Sequence, residues 1–279
     1  MSQLFAGGLC ACKVIRSSVR VSMFLLIAPA IFGQSYRGLP SPGGPDFHFW
    51  DSIDIRVPKQ KSTTSNIVTL QELQHVVPKK ALKEVEKAEA ARLDNRNDAA
   101  IRHYCEAISI DPEFVAARNN LAVVYLTTAS GEAAIAQLEA AIKVDPNKPL
   151  LFTNLASGYA MIHQYDAAER AARVAVNLDR ANPLPRFILA LALTAQRKSA
   201  DEAVQYFEVA GRTYTEAYFF AARLLITDGQ LKRAKSEIQT YLAGADDQQK
   251  RAVAMHWLDL IDQSEQVSVT SLSLARSRY

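Results

Sequence analysis

The sequence predicts an all-α fold, a solenoid of about five stacked helix-turn-helix repeats closed by a C-terminal capping helix. Three observations predict it. Alanine returns every 34 residues in two series that run in step, Ala88, Ala122, Ala156 and Ala100, Ala134, Ala168, and a side chain this small suits points where two helices approach closely. From Pro78 onward the apolar residues keep a helical period almost without interruption. The dipeptides Asp111-Pro112 and Asp145-Pro146 stand the same interval apart and mark the ends of repeats.

The elements follow in order. Residues 1–33 carry Lys13, Arg16 and Arg20 and no acid, then an apolar run from Val21 to Phe32, then Gly33-Gln34-Ser35. That order predicts a secretory signal peptide cleaved after Gly33 or after Ala30. The run is shorter than the roughly 20 apolar residues that span a bilayer, and retention as an anchor is the alternative. Residues 34–77 are expected to be mostly extended. Gly38 to Pro45 is too rich in glycine and proline for a helix. Phe47 to Val57 alternates enough to form one short strand, either laid along the solenoid or serving as a recognition segment. Lys59 to Asn66 reads as a polar linker, and Val68 to Val77 as a segment packed ahead of the first repeat.

The repeats are expected at 81–114, 115–148, 149–182, 183–214 and 215–244. At the close of the third, Arg180 replaces the proline, and Pro183 and Pro185 are expected to take over the stop, shifting the turn. The fourth needs one extra residue in its inner turn near Lys198, and the fifth has Gly229 in that turn and Tyr241 where alanine is expected. Residues 245–263 suit a capping helix, with Val253, Trp257, Leu258, Leu260 and Ile261 on its apolar side. The serine-rich residues 264–279 are expected to form a flexible tail.

Within a unit, the first helix carries a large residue, a leucine, a small residue and a tyrosine, as in Phe152, Leu155, Ala156 and Tyr159. The second carries alanine, a large residue and alanine, as in Ala100, Tyr104 and Ala107. This pattern resembles the tetratricopeptide repeat from about Pro78 to Gly244, most closely in units two and three and less so in unit one, where Lys87 stands in place of leucine. The resemblance, here to an exported bacterial type, implies a right-handed solenoid packed through Ala88, Ala100, Ala122, Ala134, Ala156, Ala168, Ala190 and Ala203. It further implies a concave groove lined by the first helix of each unit.

Groove positions implied in this way are Asn119, Asn120, Val123, Thr153, Asn154 and Ser157, followed by Phe187, Leu191, Phe219 and Arg223 in the more apolar fourth and fifth units. Asn120 and Asn154 fall one repeat apart, each within Asn-Leu-Ala, which is similar to the asparagine ladder in the repeats of O-linked N-acetylglucosamine transferase. An amide both donates and accepts, so such a ladder can hold any peptide backbone. The other reading is that these asparagines only cap or bridge neighbouring helices. The carboxylate clamp of chaperone-binding repeats is absent, because its basic and amide positions hold Val85, Glu89, Leu150 and Asn154.

Charge and composition narrow the function. Of 32 basic residues the leader holds 3, so the remaining 29 equal the 29 acids, and the chain without its leader carries no basic excess for nucleic acid. Cys10 and Cys12 leave with the leader, and Cys105 then has no partner for a disulfide. The five histidines are scattered, and no phosphate loop, zinc motif or nucleophile elbow is present. The expectation is a non-enzymatic protein–protein interaction module that needs no cofactor, metal or small-molecule substrate. It would bind an extended partner segment in its groove, in the periplasm or cell envelope, and meet a membrane only through an uncleaved leader. The alternative is a structural or assembly subunit of an envelope, secretion or pilus complex.

Overall fold

The computed structural model describes residues 75–276, and of these the side chains of residues 265 and 267–276 are not considered. The expected leader, the candidate strand Phe47 to Val57 and the linker lie outside the described residues. Within them the chain forms helices only, eleven in number.

The first repeat pairs α1 (Lys79–Leu93) with α2 (Asn97–Ile110). The buried side of α1 is Ala81, Glu84, Ala88 and Ala91, a three-and-four spacing that places all of them on one face. Pro78 precedes that helix in extended conformation, as a residue without a helical N–H can. The next pairs are α3 (Val115–Thr127) with α4 (Gly131–Val144), α5 (Pro149–Met161) with α6 (Tyr165–Leu178), and α7 (Pro183–Ala195) with α8 (Ala200–Gly211). The last is α9 (Glu216–Thr227) with α10 (Leu231–Gly244), and α11 (Gln248–Arg276) follows. Each helix packs on the next in sequence, and α5 also touches α3 and α7, the first helices of the neighbouring units. This is an α-solenoid.

All eight alanines at the recurring positions are fully buried. Helix approach is close enough elsewhere to require glycine: a Cβ on Gly131 at the start of α4 would lie 2.6 Å from the Ile162 side chain. Buried apolar residues gather in successive clusters, from Ala81 to Val124, from Ala122 to Ala203 and from Ala190 to Ile261. Because the clusters overlap along the sequence, one core runs along the stack.

The turn after α6 corrects one expectation. It is not shifted: α2, α4 and α6 end at Ile110, Val144 and Leu178, and α3, α5 and α7 begin at Val115, Pro149 and Pro183, always 34 apart. The aspartates hold the register. Asp111, Asp145 and Asp179 each accept a bond from the backbone N–H two residues on, at 3.1, 3.3 and 3.0 Å, so Arg180 can replace proline without moving the turn. Asn182 then caps α7 by accepting from the Leu184 N–H at 3.0 Å.

The C-terminus corrects another. The expected flexible tail 264–279 is helical through Arg276, as the continuation of α11. Residues 264–276 contain no glycine or proline, and extending a helix already nucleated on the stack costs little per residue even for serine and valine. At its docked end, Ala254, Trp257 and Ile261 of α11 are buried, and the Trp257 ring stacks on Phe219 with centroids 4.8 Å apart.

Candidate protein-binding groove

The first helices α1, α3 and α5 are joined by a chain of polar side chains. Glu89 of α1 is its centre. One carboxylate oxygen accepts from Arg92 Nε and Nη2 at 3.0 and 2.7 Å, and the other from the Tyr104 hydroxyl and from Asn120 Nδ2, the latter at 3.0 Å. Asn119 Nδ2 donates to Asn120 Oδ1 at 3.2 Å, and Asn154 Nδ2 of α5 donates to Asn119 Oδ1 at 2.8 Å. Burial first, then the bond to Glu89, raises the Tyr104 hydroxyl well above its ordinary range.

This arrangement corrects the groove expectation at several residues. Asn154 is 1% exposed and spends its amide on Asn119, so it bridges helices instead of facing a ligand. Asn119 is buried for the same reason. Thr153 and Ser157 are buried too, and their hydroxyls bond back to the Pro149 and Thr153 carbonyls of their own helix at 3.0 and 3.1 Å. With α3 and α7 packed on either side of α5, side chains this short end below the surface. Leu191 and Phe219 are core residues, each 1% exposed. Phe219 lies between Tyr241 and Trp257, because unit five is closed by the cap and its large residues turn inward.

Four expected positions remain partly exposed: Asn120, Val123, Phe187 and Arg223. Phe187 rests edge-on against Phe207 at 5.9 Å and tilted against Phe220 at 5.8 Å, which fixes its ring. Arg223 lines a cavity of about 460 Å³ between α7 and α9. Its apolar wall comes from Ala195, Ala200, Phe220 and Leu224, and Thr194, Thr227 and Tyr165 bring polar edges. Arg197, Lys198 and Asp228 also line it. Burial lowers the Arg223 guanidinium from its ordinary range. Sequence reasoning did not foresee the cavity, although its signal was present: the inner turn of unit four, Gln196 to Ser199, is one residue longer than the turns at 128–130 and 162–164. Nor did it foresee Glu89 as a junction, since nothing in its local sequence marks it.

Among the described residues, no group of His, Cys, Asp and Glu side chains is placed to hold a metal ion. His75 and His103 instead contact Asp111 and Glu84, both at 2.8 Å.

Residues 91–157 match the tetratricopeptide repeat family. That stretch is built of tetratricopeptide repeats. Solved structures share its repeat fold at low identity. MamA from Desulfovibrio magneticus RS-1 has a TM-score of 0.56 and 13% identity, covering 60% of this chain and 96% of its own. The pilF structure from Pseudomonas aeruginosa has a TM-score of 0.56 and 17% identity over 71% of this chain and 91% of its own. YrrB, described as a tetratricopeptide repeat protein with an unusual peptide-binding site, has a TM-score of 0.53 and 19% identity over 63% and 90%. No curated protein matches the sequence.

Proposed function

We propose that this protein is a non-enzymatic interaction module that holds an extended segment of a partner protein along the face formed by α1, α3, α5, α7 and α9. The observation that carries this reading is the set of partly exposed residues Asn120 and Val123 on α3, Phe187 on α7 and Arg223 on α9, the last lining a cavity. A ring held rigid on three aromatic neighbours, as Phe187 is, suits a binding surface because it loses little freedom on contact. YrrB, of the same fold, is described as having a peptide-binding site. The basic and apolar leader supports export, so the proposed site of action is the periplasm or cell envelope.

Selection of random 12-residue peptides on the full chain tests the binding reading. Wild-type protein should enrich a family of sequences, and Phe187→Ala should change which side chains are enriched while circular dichroism stays helical. Enrichment that is unchanged in Phe187→Ala and in Val123→Arg would remove the groove from the proposal. N-terminal sequencing of protein made in an exporting bacterium tests the leader, with a start near Gln34 expected; an intact Met1 in the membrane fraction would refute cleavage.

A further inference from the structure

The cavity between α7 and α9 interrupts the close packing of first helices. α5 packs on both α3 and α7, whereas α7 and α9 stand apart and leave about 460 Å³ open between them. Space of that size takes a ligand or a large side chain, not a solvent molecule or two. Ala195, Ala200, Phe220 and Leu224 make its walls apolar. Its two threonines give it a bias towards donors. The Thr194 hydroxyl donates to the Ala190 carbonyl at 2.8 Å and the Thr227 hydroxyl to the Leu224 carbonyl at 2.7 Å, each within its own helix. With their protons committed, both oxygens offer an occupant only lone pairs. Exposed Arg197 lies on the rim in left-handed conformation, φ 55°, with no acidic partner among the described residues. An occupant matched to these features has a large flat apolar body, one N–H donor and an adjoining carboxylate. Indole is the side chain with that body and that single donor.

The chain has two tryptophans. Trp257 is buried against Phe219 in the cap, whereas Trp50 belongs to the segment ahead of the repeats and is followed directly by Asp51. We propose that Trp50 of the same chain occupies this cavity, its ring against Phe220 and Leu224, its N–H donating to a threonine oxygen, and Asp51 pairing with Arg197 at the rim. Reach permits it. Between Trp50 and His75 lie 24 residues, and a chain of that length spans up to roughly 80 Å. From α1 to α9 there are four steps between first helices, roughly 40 Å at about 8–10 Å per step. The tether holds the segment at a local concentration of about 1 mM, so the cavity is filled by the chain itself until a competing segment displaces it. This contact goes beyond the partner reading and does not depend on it, because its occupant is part of the chain.

The test measures binding of a labelled synthetic peptide, residues 45–57, to the full chain. In the wild type the tethered copy competes. A full chain carrying Trp50→Ala should therefore bind the free peptide about ten- to a hundredfold more tightly than wild type, for an intrinsic Kd of roughly 10–100 µM. On the Trp50→Ala chain, Thr227→Val should weaken the peptide about two- to tenfold. A peptide with phenylalanine in place of Trp50 should not feel that change, since it has no N–H to lose. Thr194→Val repeats the acceptor test if Thr227→Val unfolds. Arg197→Glu, on the exposed rim, should also weaken the peptide, and less so when the peptide carries Asp51→Asn. Failure of the peptide to bind either chain, or equal binding to both, would overturn the proposal. Binding to the Trp50→Ala chain that the threonine and Arg197 variants leave unchanged would also overturn it, by putting the segment elsewhere. A wild-type chain that dimerises in size-exclusion chromatography beside a monomeric Trp50→Ala chain would overturn the same-chain contact and give the cavity to a second copy. The random-peptide selection stays a separate test of the partner reading, because it is read at Val123 and Phe187, which do not line the cavity.

Discussion

At Asn119 and Asn154 the same side chain that could hold a partner's backbone is used to hold a neighbouring helix, and burial decides between the two uses. Removing the Asn154 amide leaves the buried Asn119 Oδ1 without its donor, and an orphaned buried acceptor costs about 1–3 kcal/mol. Asn154→Ala is therefore expected to lower stability by that amount in urea denaturation, and to leave the affinity of a selected peptide within about twofold once the protein is folded. A large loss of affinity with unchanged stability would restore a ligand-facing role. Tyr241 gives a residue-scale expectation in pH. Burial, followed by the carboxylates of Asp247 and Glu216, pushes its hydroxyl up from 10.0 to about 12. A raised folded pKa means that the contribution is whole below pH 10 and is lost as pH climbs from 10 to 12, because the unfolded chain releases the proton first. That window should remove up to about 2–3 kcal/mol, at 1.36 kcal/mol per unit. Stability curves of wild type and Tyr241→Phe between pH 9 and 12 check it: the wild type should lose more, and parallel curves would refute the assignment.

At the scale of helices and turns, the inner turns repeat a backbone conformation that the sequence did not advertise. Asn95, Ala129, His163 and Gly229 have positive φ in units one, two, three and five, Arg197 and Ser199 both do in unit four, and only Gly229 is glycine. The sequence reading found the helices through their apolar period and the unit length through alanine, because both come from packing. It attributed the outer turns to proline, whereas side-chain bonds from Asp111, Asp145 and Asp179 hold them, which is why Arg180 did not displace the turn. The inner turns of units two to four were illegible because an alanine, a histidine or an arginine in left-handed conformation is a strain carried by the flanking helices. Ala129 is exposed, so its replacement touches nothing else. A left-handed L-residue costs roughly 1–2 kcal/mol, partly offset by the extra freedom glycine loses on folding. Ala129→Gly is thus expected to stabilise the protein by about 0.5–1 kcal/mol, read as a higher melting temperature. A lower one would mean that the turn does not hold this conformation in solution.

On the scale of the whole stack, stability is passed from unit to unit, and the end units depend on what covers them. The solenoid and its repeat register were legible because each unit restates the same packing demands. The occupant of each groove position was less legible, because exposure depends on neighbours in adjacent units: Leu191 and Phe219 occupy expected groove positions yet lie in the core. The cap explains Phe219. Its ring is enclosed by Phe220, Tyr241 and Trp257, and the cluster to which it belongs reaches from Ala190 of α7 to Ile261 of α11. Trp257→Ala would remove the stacked ring from a site that is 6% exposed, at a cost of about 3–5 kcal/mol. The loss should not spread evenly. The clusters holding α1 to α4 contain no residue of α11, so amide hydrogen exchange should accelerate in α9, α10 and α11 while protection in α1 to α4 changes little. The cavity walled by Phe220 and Leu224 of α9 lies on the weakened side, so peptide affinity should fall with exchange protection there. Uniform acceleration from α1 to α11 would show instead that the stack unfolds as one cooperative block, and that the cap acts on the whole molecule and not on its neighbours.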